Sequence, residues 1–205
     1  MNSQFDLYEV LLWRPDGGYW MLEAHLDRLD GAADYFDRPV DREVVRQTLL
    51  TYAATLQCES KVRMMIGVDE MIRVELIVIE PYPRHIIVGL ATQPINRNNP
   101  FLYYKTSQRD IYNNAKASRP DCDDVLLWNE AGEMTEASSS NVVFEIDGRK
   151  VTPPVASGLL GGTFRRSLLE SAEISEQVIT IAQAKAATRI WLINSVRGWR
   201  SATLR

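Results

Sequence analysis

Cysteine and histidine are scarce in this chain, which has two of each among its 205 residues. Cys58 and Cys122 lack the paired spacing of a metal site, and His25 and His85 cannot supply three histidine ligands. We therefore expect no bound metal. Two thiols outside any recognisable motif are typical of a protein that works in the reducing cytoplasm.

Long apolar runs and clusters of basic residues are also missing. No stretch approaches the roughly 20 apolar residues that span a bilayer, and the first residues, MNSQFD, lack the basic and apolar parts of a signal peptide. Lysine and arginine number 23 against 27 aspartate and glutamate, giving a net charge of -4. We therefore expect neither a nucleic-acid partner nor a membrane partner.

The composition is that of a globular protein with a sizeable core, since 45% of the residues are hydrophobic and 24% are charged. Proline and asparagine are concentrated in residues 93–104, which predicts an irregular linker there. We therefore expect an N-terminal α+β subdomain over residues 1–92 and a C-terminal subdomain over residues 105–205.

Hydrophobic periodicity predicts the elements of each half. The first half begins with a hairpin and two helices, and Asp41 suits the N-cap of the second helix. Its strands are predicted at Leu7 to Trp13, Gly18 to Leu22, Lys61 to Ile66, Arg73 to Ile79 and Ile86 to Ala91. The second half is predicted to contain helices at Asp110 to Ala117 and Arg165 to Ala172, and strands at Asp124 to Trp128, Asn141 to Ile146 and Arg189 to Val196.

Two residues could carry chemistry. Lys105 lies in the segment YKTSQR (104–109), between the linker and a helix, a placement that can aim a side chain into a cleft. A lone lysine is usually a solvated surface residue, and desolvation or nearby positive charge is needed to make it a nucleophile. Glu136 lies in GEMTEASSSN (132–141), where the serines would let the backbone approach a flat ring. A lysine that binds covalently and an acid that partners a pyridine nitrogen are the minimal equipment for pyridoxal phosphate chemistry.

Three further segments could hold a phosphate or an acidic substrate. Residues 157–166 (SGLLGGTFRR) run from glycines into a helix, and the amides and dipole of a helix N-terminus bind phosphate well. Arg28 could bind phosphate through two hydrogen bonds, and the segment NSVRGW (194–199) ends a strand, where ligand contacts are common. Taken singly, each of these features is more often purely structural.

Together and in this order, these segments resemble the class IV aminotransferases, a family of pyridoxal-phosphate enzymes that includes aminodeoxychorismate lyases. The resemblance runs from Leu7 to Ala202 and is strongest to the lyase-like domains fused behind aminodeoxychorismate synthase component I. It is also carried by DVLLWN (124–129) and TPP (152–154). It implies an α+β fold of two subdomains: an N-terminal α/β sandwich on an antiparallel sheet and a C-terminal barrel-like α/β subdomain.

The resemblance also implies roles for individual residues. Lys105 would hold pyridoxal 5'-phosphate covalently, and Glu136 would partner its pyridine nitrogen. The family often has a threonine where this chain has Phe164, so the neighbouring Thr163 would have to supply that hydroxyl. Tyr104 stands where the nearest relatives often have a histidine. The full set of expected cofactor-binding residues is Arg28, Glu136, Ser140, Asn141, Thr163, Phe164 and Ser195.

The reaction that the resemblance implies is the lyase reaction on 4-amino-4-deoxychorismate, which releases pyruvate and p-aminobenzoate for folate biosynthesis. Arg97 and Arg197 would meet the carboxylates of this small-molecule substrate. Two alternatives stay open: transamination of a branched-chain or D-amino acid with the same lysine and glutamate, and a non-catalytic binding module that kept the fold. A homodimer is expected, because a second subunit usually completes the cleft in this family, and an aminodeoxychorismate synthase component is a candidate partner.

Overall fold

The computed structural model describes residues 5–78 and 85–205. Contacts divide them into two compact units, the first built from residues 5–78 and 104–108 and the second from residues 85–103 and 109–205. This division differs from the predicted one in two places. The strand that begins at Ile86 belongs to the second unit, and Lys105 belongs to the first.

The first unit contains a four-stranded antiparallel sheet in the order β2-β1-β3-β4 and two helices. The predicted strand Arg73 to Ile79 corresponds to β4, although Ile79 itself lies outside the described residues. The elements are β1 (Leu7–Arg14), β2 (Gly18–Tyr19), α1 (Leu22–Tyr35), α2 (Arg42–Ala53), β3 (Ser60–Ile66) and β4 (Ile72–Ile77).

The core of the first unit lies where alternate residues of β1 and β3 are buried together with residues of both helices. Alternation follows from the pleat, which turns successive side chains to opposite faces. Glu9 occupies the buried face between Leu7 and Leu11, a costly position for a carboxylate. Asp41 caps α2 as predicted, since its side chain accepts hydrogen bonds from the amides of Glu43 and Val44.

A short segment that follows the predicted linker returns to the first sheet. The amide of Tyr8 donates to the carbonyl of Lys105 at 3.2 Å, and Leu7 forms an antiparallel bridge with Thr106. Ser107 and Asp6 exchange two further hydrogen bonds, each of 2.9 Å. These bonds place the lysine segment in the first unit, although the residues that follow it belong to the second.

The second unit contains an eight-stranded mixed sheet in the order β10-β9-β8-β11-β12-β5-β6-β7. Strand β5 pairs in parallel with both β12 and β6, which explains why it belongs here and not with the first half. The strands are β5 (Ile86–Leu90), β6 (Asp124–Trp128), β7 (Met134–Ala137), β8 (Asn141–Ile146), β9 (Arg149–Thr152), β10 (Ser175–Glu176), β11 (Arg189–Asn194) and β12 (Gly198–Leu204).

The sheet of the second unit curls, because residues 138–140 connect its edge strand β7 directly to the interior strand β8 and the amide of Ala137 donates to the carbonyl of Ser140. Three helices accompany it: α3 (Asp110–Ala117), α4 (Thr163–Glu170) and α5 (Ile181–Ala186). Within the described part of the chain, no helix has the length and apolar character needed to cross a membrane.

Candidate active site

Lys105 is held by the backbone pairing of its segment with β1, and its side chain is half-buried. Its Nζ lies 4.6 Å from the centroid of the Tyr8 ring, within the range of a cation–π contact. The neighbouring Tyr104 stacks on Tyr35 at 4.3 Å between ring centroids. The backbone and the aromatic rings therefore fix the position of the lysine within the first unit.

Arg28 lies on α1 and meets the buried Glu9 in a two-point ion pair. Its Nε donates to Oε1 at 2.8 Å and its Nη2 donates to Oε2 at 2.5 Å. His25, one helical turn earlier, is buried and its Nδ1 lies 2.6 Å from the same Oε2. Among the described residues, Nη1 of Arg28 has no hydrogen-bond partner, so this nitrogen is available to an anion.

The protonation of this cluster follows from burial and charge. Burial by itself would raise the pKa of Glu9, but the Arg28 guanidinium and His25 outweigh it and lower the pKa from its ordinary value of 4.5 to about 2. Burial is also the largest influence on His25, whose pKa is lowered, with the charges of Arg28 and Lys105 acting in the same direction. Glu9 is therefore ionised near neutral pH and His25 is neutral, with Nδ1–H donating to the carboxylate.

Glu136 lies on β7 and is buried within the second unit. Its Oε1 accepts hydrogen bonds from the hydroxyl of Tyr112 at 2.8 Å and from the amide of Leu160 at 3.1 Å. Its Oε2 accepts a hydrogen bond from Nδ2 of Asn141 at 3.2 Å. Hydrogen bonds donated to a carboxylate favour its ionised form, so the arrangement suits an acid that carries negative charge inside the protein.

Asn141 connects Glu136 to the glycine-rich segment before α4. Its Nδ2 also donates to the carbonyl of Leu160 at 2.8 Å. A Cβ on Gly162 would lie only 2.0 Å from Oδ1 of Asn141, so a residue without a side chain is required there. Gly162 is the N-cap of α4 and supplies no side-chain cap, which leaves the helix N-terminus suited to an external anion.

The first two residues of α4 differ in what their side chains do. Thr163 is buried, whereas Phe164 packs its ring edge-to-face against Trp199, with the centroids 6.4 Å apart. The phenyl ring is therefore part of an aromatic cluster, and Phe164 can offer a phosphate only its backbone amide.

Ser140 and Ser195 are tied together through Asn194, the last residue of β11. Nδ2 of Asn194 donates to Oγ of Ser140 at 3.0 Å, and its Oδ1 accepts from the amides of Val196 and Arg197 at 3.0 and 2.9 Å. Arg200 donates to the same serine oxygen at 2.6 Å. Asn194 thus holds in place both Ser140, at the end of the serine run, and the turn that carries Ser195.

The two arginines predicted to bind substrate have different surroundings. Arg97 is already engaged by two carboxylates, with its Nε 3.3 Å from Glu130 and its Nη1 3.6 Å from Glu133. Arg197 is half-buried in the turn held by Asn194. A substrate carboxylate would therefore have to compete with two glutamates for Arg97.

The structure thus groups the predicted residues in two sets. The first unit carries Lys105 and Arg28 around His25. In the second unit, hydrogen bonds link Glu136, Ser140 and Asn141 to the segments that hold the other residues predicted to bind the cofactor. Sequence reasoning overlooked several supporting residues. A charged residue at a core-facing strand position could have indicated Glu9. The others are ordinary polar or aromatic residues until the fold is known: Tyr8, Tyr112 and Arg200.

The residues of the second unit fit pyridoxal phosphate on structural grounds. A buried carboxylate with several donors suits a protonated ring nitrogen, the serine run allows a flat ring to approach, and an uncapped helix N-terminus suits a phosphate. Among residues 5–78 and 85–205, no group of three or more histidine, cysteine, aspartate or glutamate side chains is arranged to hold a metal ion.

Comparison with known proteins identifies the family. Residues 6–204 match the family model "Amino-transferase class IV". A Schizosaccharomyces pombe protein named "Putative aminodeoxychorismate lyase" is 31% identical over 206 residues, covering 95% of this chain and 87% of the relative. This chain therefore belongs to the class IV aminotransferase family, whose members are pyridoxal-phosphate-dependent enzymes.

Solved structures confirm the fold. A Mesorhizobium loti "Putative amino-acid aminotransferase" superposes with a TM-score of 0.91 at 28% identity, covering 98% of this chain and all of the other. The 4-amino-4-deoxychorismate lyase of Pseudomonas aeruginosa gives a TM-score of 0.84 at 23% identity, covering 97% of this chain and 82% of the other. The predicted α+β fold of two subdomains, with an antiparallel sheet and a curled second sheet, is confirmed.

Proposed function

We propose that this chain is a pyridoxal-phosphate-dependent lyase that converts 4-amino-4-deoxychorismate into pyruvate and p-aminobenzoate. The observation that carries the cofactor assignment is the buried carboxylate of Glu136, held by Tyr112, Asn141 and the amide of Leu160. The choice of the lyase reaction is supported by the S. pombe relative, which is similar over nearly the whole of both chains.

Each predicted residue then has a defined task. Lys105 attaches the cofactor through Nζ, and Glu136 holds a proton at the pyridine nitrogen. Nη1 of Arg28, the amides of Thr163 and Phe164, and Ser195 bind the phosphate. Ser140 and Asn141 line the ring face. When bound, pyridoxal phosphate supplies an electron sink that stabilises negative charge on the carbon next to the substrate nitrogen.

In the proposed reaction, the substrate amine would take the place of Lys105 on the cofactor, and the freed amine of Lys105 would accept the proton from the amine-bearing ring carbon of the substrate. The enolpyruvyl group then leaves with the electrons of its bond to the ring, gains a proton and is released as pyruvate. The remaining six-membered ring becomes aromatic, which supplies much of the driving force. The task of Arg197, and of Arg97 where it can be freed from its glutamates, is to orient the substrate carboxylates.

The cofactor assignment is tested by adding pyridoxal phosphate, reducing with borohydride and mapping the labelled peptide. We expect a pyridoxyl label on Lys105 that is lost in Lys105→Ala and retained in Lys185→Ala, which removes an exposed lysine from α5. An unlabelled Lys105 in the wild-type protein would instead support a non-catalytic binding module.

Transamination is the alternative, and it is kept as a second candidate because the similar M. loti protein is named a putative amino-acid aminotransferase. An assay that offers 4-amino-4-deoxychorismate beside a panel of branched-chain and D-amino acids separates the two reactions. Release of pyruvate and p-aminobenzoate supports the lyase. Conversion of the cofactor to its amine form by an amino acid, without p-aminobenzoate from the chorismate derivative, supports the aminotransferase.

We also propose that the protein acts as a homodimer in the cytoplasm and that an aminodeoxychorismate synthase component is its partner. The free thiols of Cys58 and Cys122 are consistent with a reducing compartment. Sedimentation of the purified protein, alone and with the synthase component, tests both associations. A monomer that sediments independently of the synthase would contradict them.

A further inference from the structure

Tyr112 is a buried tyrosine whose hydroxyl is directed at Glu136. It lies on α3, which packs against β6, and its ring belongs to an apolar cluster with Val125 and Leu127. Its hydroxyl donates to Oε1 of Glu136 at 2.8 Å. Packing therefore fixes the ring and holds the phenol oxygen within hydrogen-bond distance of Glu136.

Arg109, at the N-cap of the same helix, strengthens this arrangement. Its guanidinium carbon lies 4.6 Å from the centroid of the Tyr112 ring, and its Nη2 donates to the carbonyl of Ser138. A positive charge over the ring stabilises the electron density that the phenol oxygen gains when its hydrogen is donated. The bond to Ser138 ties α3 to the serine run that follows Glu136.

A hydrogen bond to a carboxylate changes its proton affinity as well as its orientation. It favours the charged form over the neutral acid, and hydrogen bonds to charged groups are stronger than those between neutral groups. A carboxylate that pairs with a pyridine nitrogen shares one proton with it, so a donor on the carboxylate keeps that proton on the nitrogen. Loss of the donor would shift the proton toward oxygen.

We propose that Tyr112 is a positioning residue for Glu136, which fixes the carboxylate and keeps the shared proton on the pyridine nitrogen of the cofactor. The inference rests on the proposed function, in which Glu136 meets that nitrogen. In this proposal Tyr112 helps to set how strongly the pyridine ring of the cofactor attracts electrons, although Tyr112 does not contact the substrate.

The test uses holoenzyme loaded with pyridoxal phosphate carrying a nitrogen-15 label in the ring. The nitrogen chemical shift, followed over pH, reports the ratio of protonated to unprotonated nitrogen. We expect Tyr112→Phe to lower this ratio about tenfold, the change that corresponds to one charge-assisted hydrogen bond. The apparent affinity of the apoprotein for pyridoxal phosphate, measured by fluorescence, provides a readout independent of turnover and is expected to fall in the same variant.

Tyr19→Phe is the matched control. Tyr19 is also buried, and its hydroxyl donates to the backbone carbonyl of Leu49 at 3.0 Å within the first unit. This variant loses one buried hydrogen bond but leaves Glu136 unchanged, so its nitrogen shift is expected to match the wild type. A shift that moves equally in both variants would show a general effect of lost stability and would overturn the proposal.

Replacement of Tyr112 by fluorotyrosine makes the test independent of whether Tyr112→Phe folds. Fluorine makes the phenol a stronger donor at nearly constant size, so the ratio of protonated nitrogen is expected to rise instead of fall. An unchanged nitrogen shift in the fluorotyrosine protein would overturn the role of Tyr112. Failure of the wild-type protein to bind pyridoxal phosphate at Lys105 is a separate result, which would remove the proposed function and this inference with it.

Discussion

The buried Glu9 and the partly buried Arg28 form a two-point ion pair that connects β1 to α1, with hydrogen bonds of 2.8 and 2.5 Å. The glutamate is almost fully buried, and its carboxylate also receives the hydrogen bond from His25. Such a pair costs desolvation energy, and removing one member leaves the other charge in the protein without compensation. The effect of removing one member of the pair can therefore be measured on the free energy of unfolding or on ligand binding.

Substitution of Glu9 should destabilise the protein strongly. We expect Glu9→Gln to reduce the free energy of unfolding by roughly 3 kcal/mol, because the Arg28 charge loses its partner. Urea unfolding at pH 7 measures the loss. Glu59→Gln is the control, since its pair with Arg14 is solvent-exposed and should change stability by less than about 1 kcal/mol. Equal losses in the two variants would contradict the argument that burial makes the Glu9 pair more important for stability than the exposed Glu59 pair.

The depressed pKa of Glu9 predicts a pH window for the same effect. Because its pKa falls from 4.5 in the unfolded chain to about 2 in the folded protein, ionised Glu9 stabilises the fold above pH 4.5, and this contribution is lost as the pH falls toward 2. The unfolding free energies of wild type and Glu9→Gln should therefore converge across this range. If the difference between the two unfolding free energies stays constant from pH 5 to pH 2.5, the lowered pKa of Glu9 is refuted.

A methyl group at Gly162 should disrupt the Glu136 site. The new Cβ would lie 2.0 Å from Oδ1 of Asn141, forcing its amide away from Glu136. We expect Gly162→Ala to weaken pyridoxal phosphate binding about tenfold or more, the effect of one lost hydrogen bond to a charged group. Fluorescence titration measures the affinity.

Gly161→Ala provides a neighbouring control for that experiment. The nearest atom to its added Cβ is Cγ2 of Val155 at 3.8 Å, an ordinary contact distance. Cofactor affinity close to the wild-type value is therefore expected. Comparable weakening in both variants would indicate that the loop as a whole, and not the contact with Asn141, controls binding.

Substitutions of Arg97 and Arg197, the two arginines proposed to bind substrate, should have different kinetic effects. We expect Arg197→Gln to raise KM about tenfold through the loss of a charge-assisted contact, and Arg97→Gln to raise it much less, because Glu130 and Glu133 already neutralise Arg97. Steady-state kinetics with 4-amino-4-deoxychorismate measures both. A larger effect from Arg97→Gln would mean that substrate displaces the two glutamates.

The sequence allowed the long, periodic elements to be predicted but not their pairing. The α2 cap at Asp41 and the long strand β1 follow from local chemistry. Strand β5 was assigned to the wrong sheet because its apolar residues are compatible with either one, and only its pairing with β6 and β12 decides between them. Short strands such as β7 were not predicted, since four buried residues show no alternation.

Of two other features, one had a local sequence signal and the other had none. Thr180 and Gln183 form a capping box at the start of α5, a pattern that would have predicted this helix from sequence. Tyr112 had no such signal, because its distinguishing property is a hydrogen bond to a residue on a different element. The roles of Lys105 and Glu136 were predicted from motifs, whereas the side chains that contact them could be identified only from tertiary contacts.

The return of residues 104–108 to β1 makes the two units interleaved along the gene. A fragment that ends at residue 78 would leave the Leu7 edge of β1 without its neighbour, and exposed strand edges promote aggregation. A crossover between residues 78 and 104 would split the first unit, whereas one after residue 108 would leave the first unit whole and divide the second. The lysine and the sheet that supports it must therefore be inherited together with the chain between them.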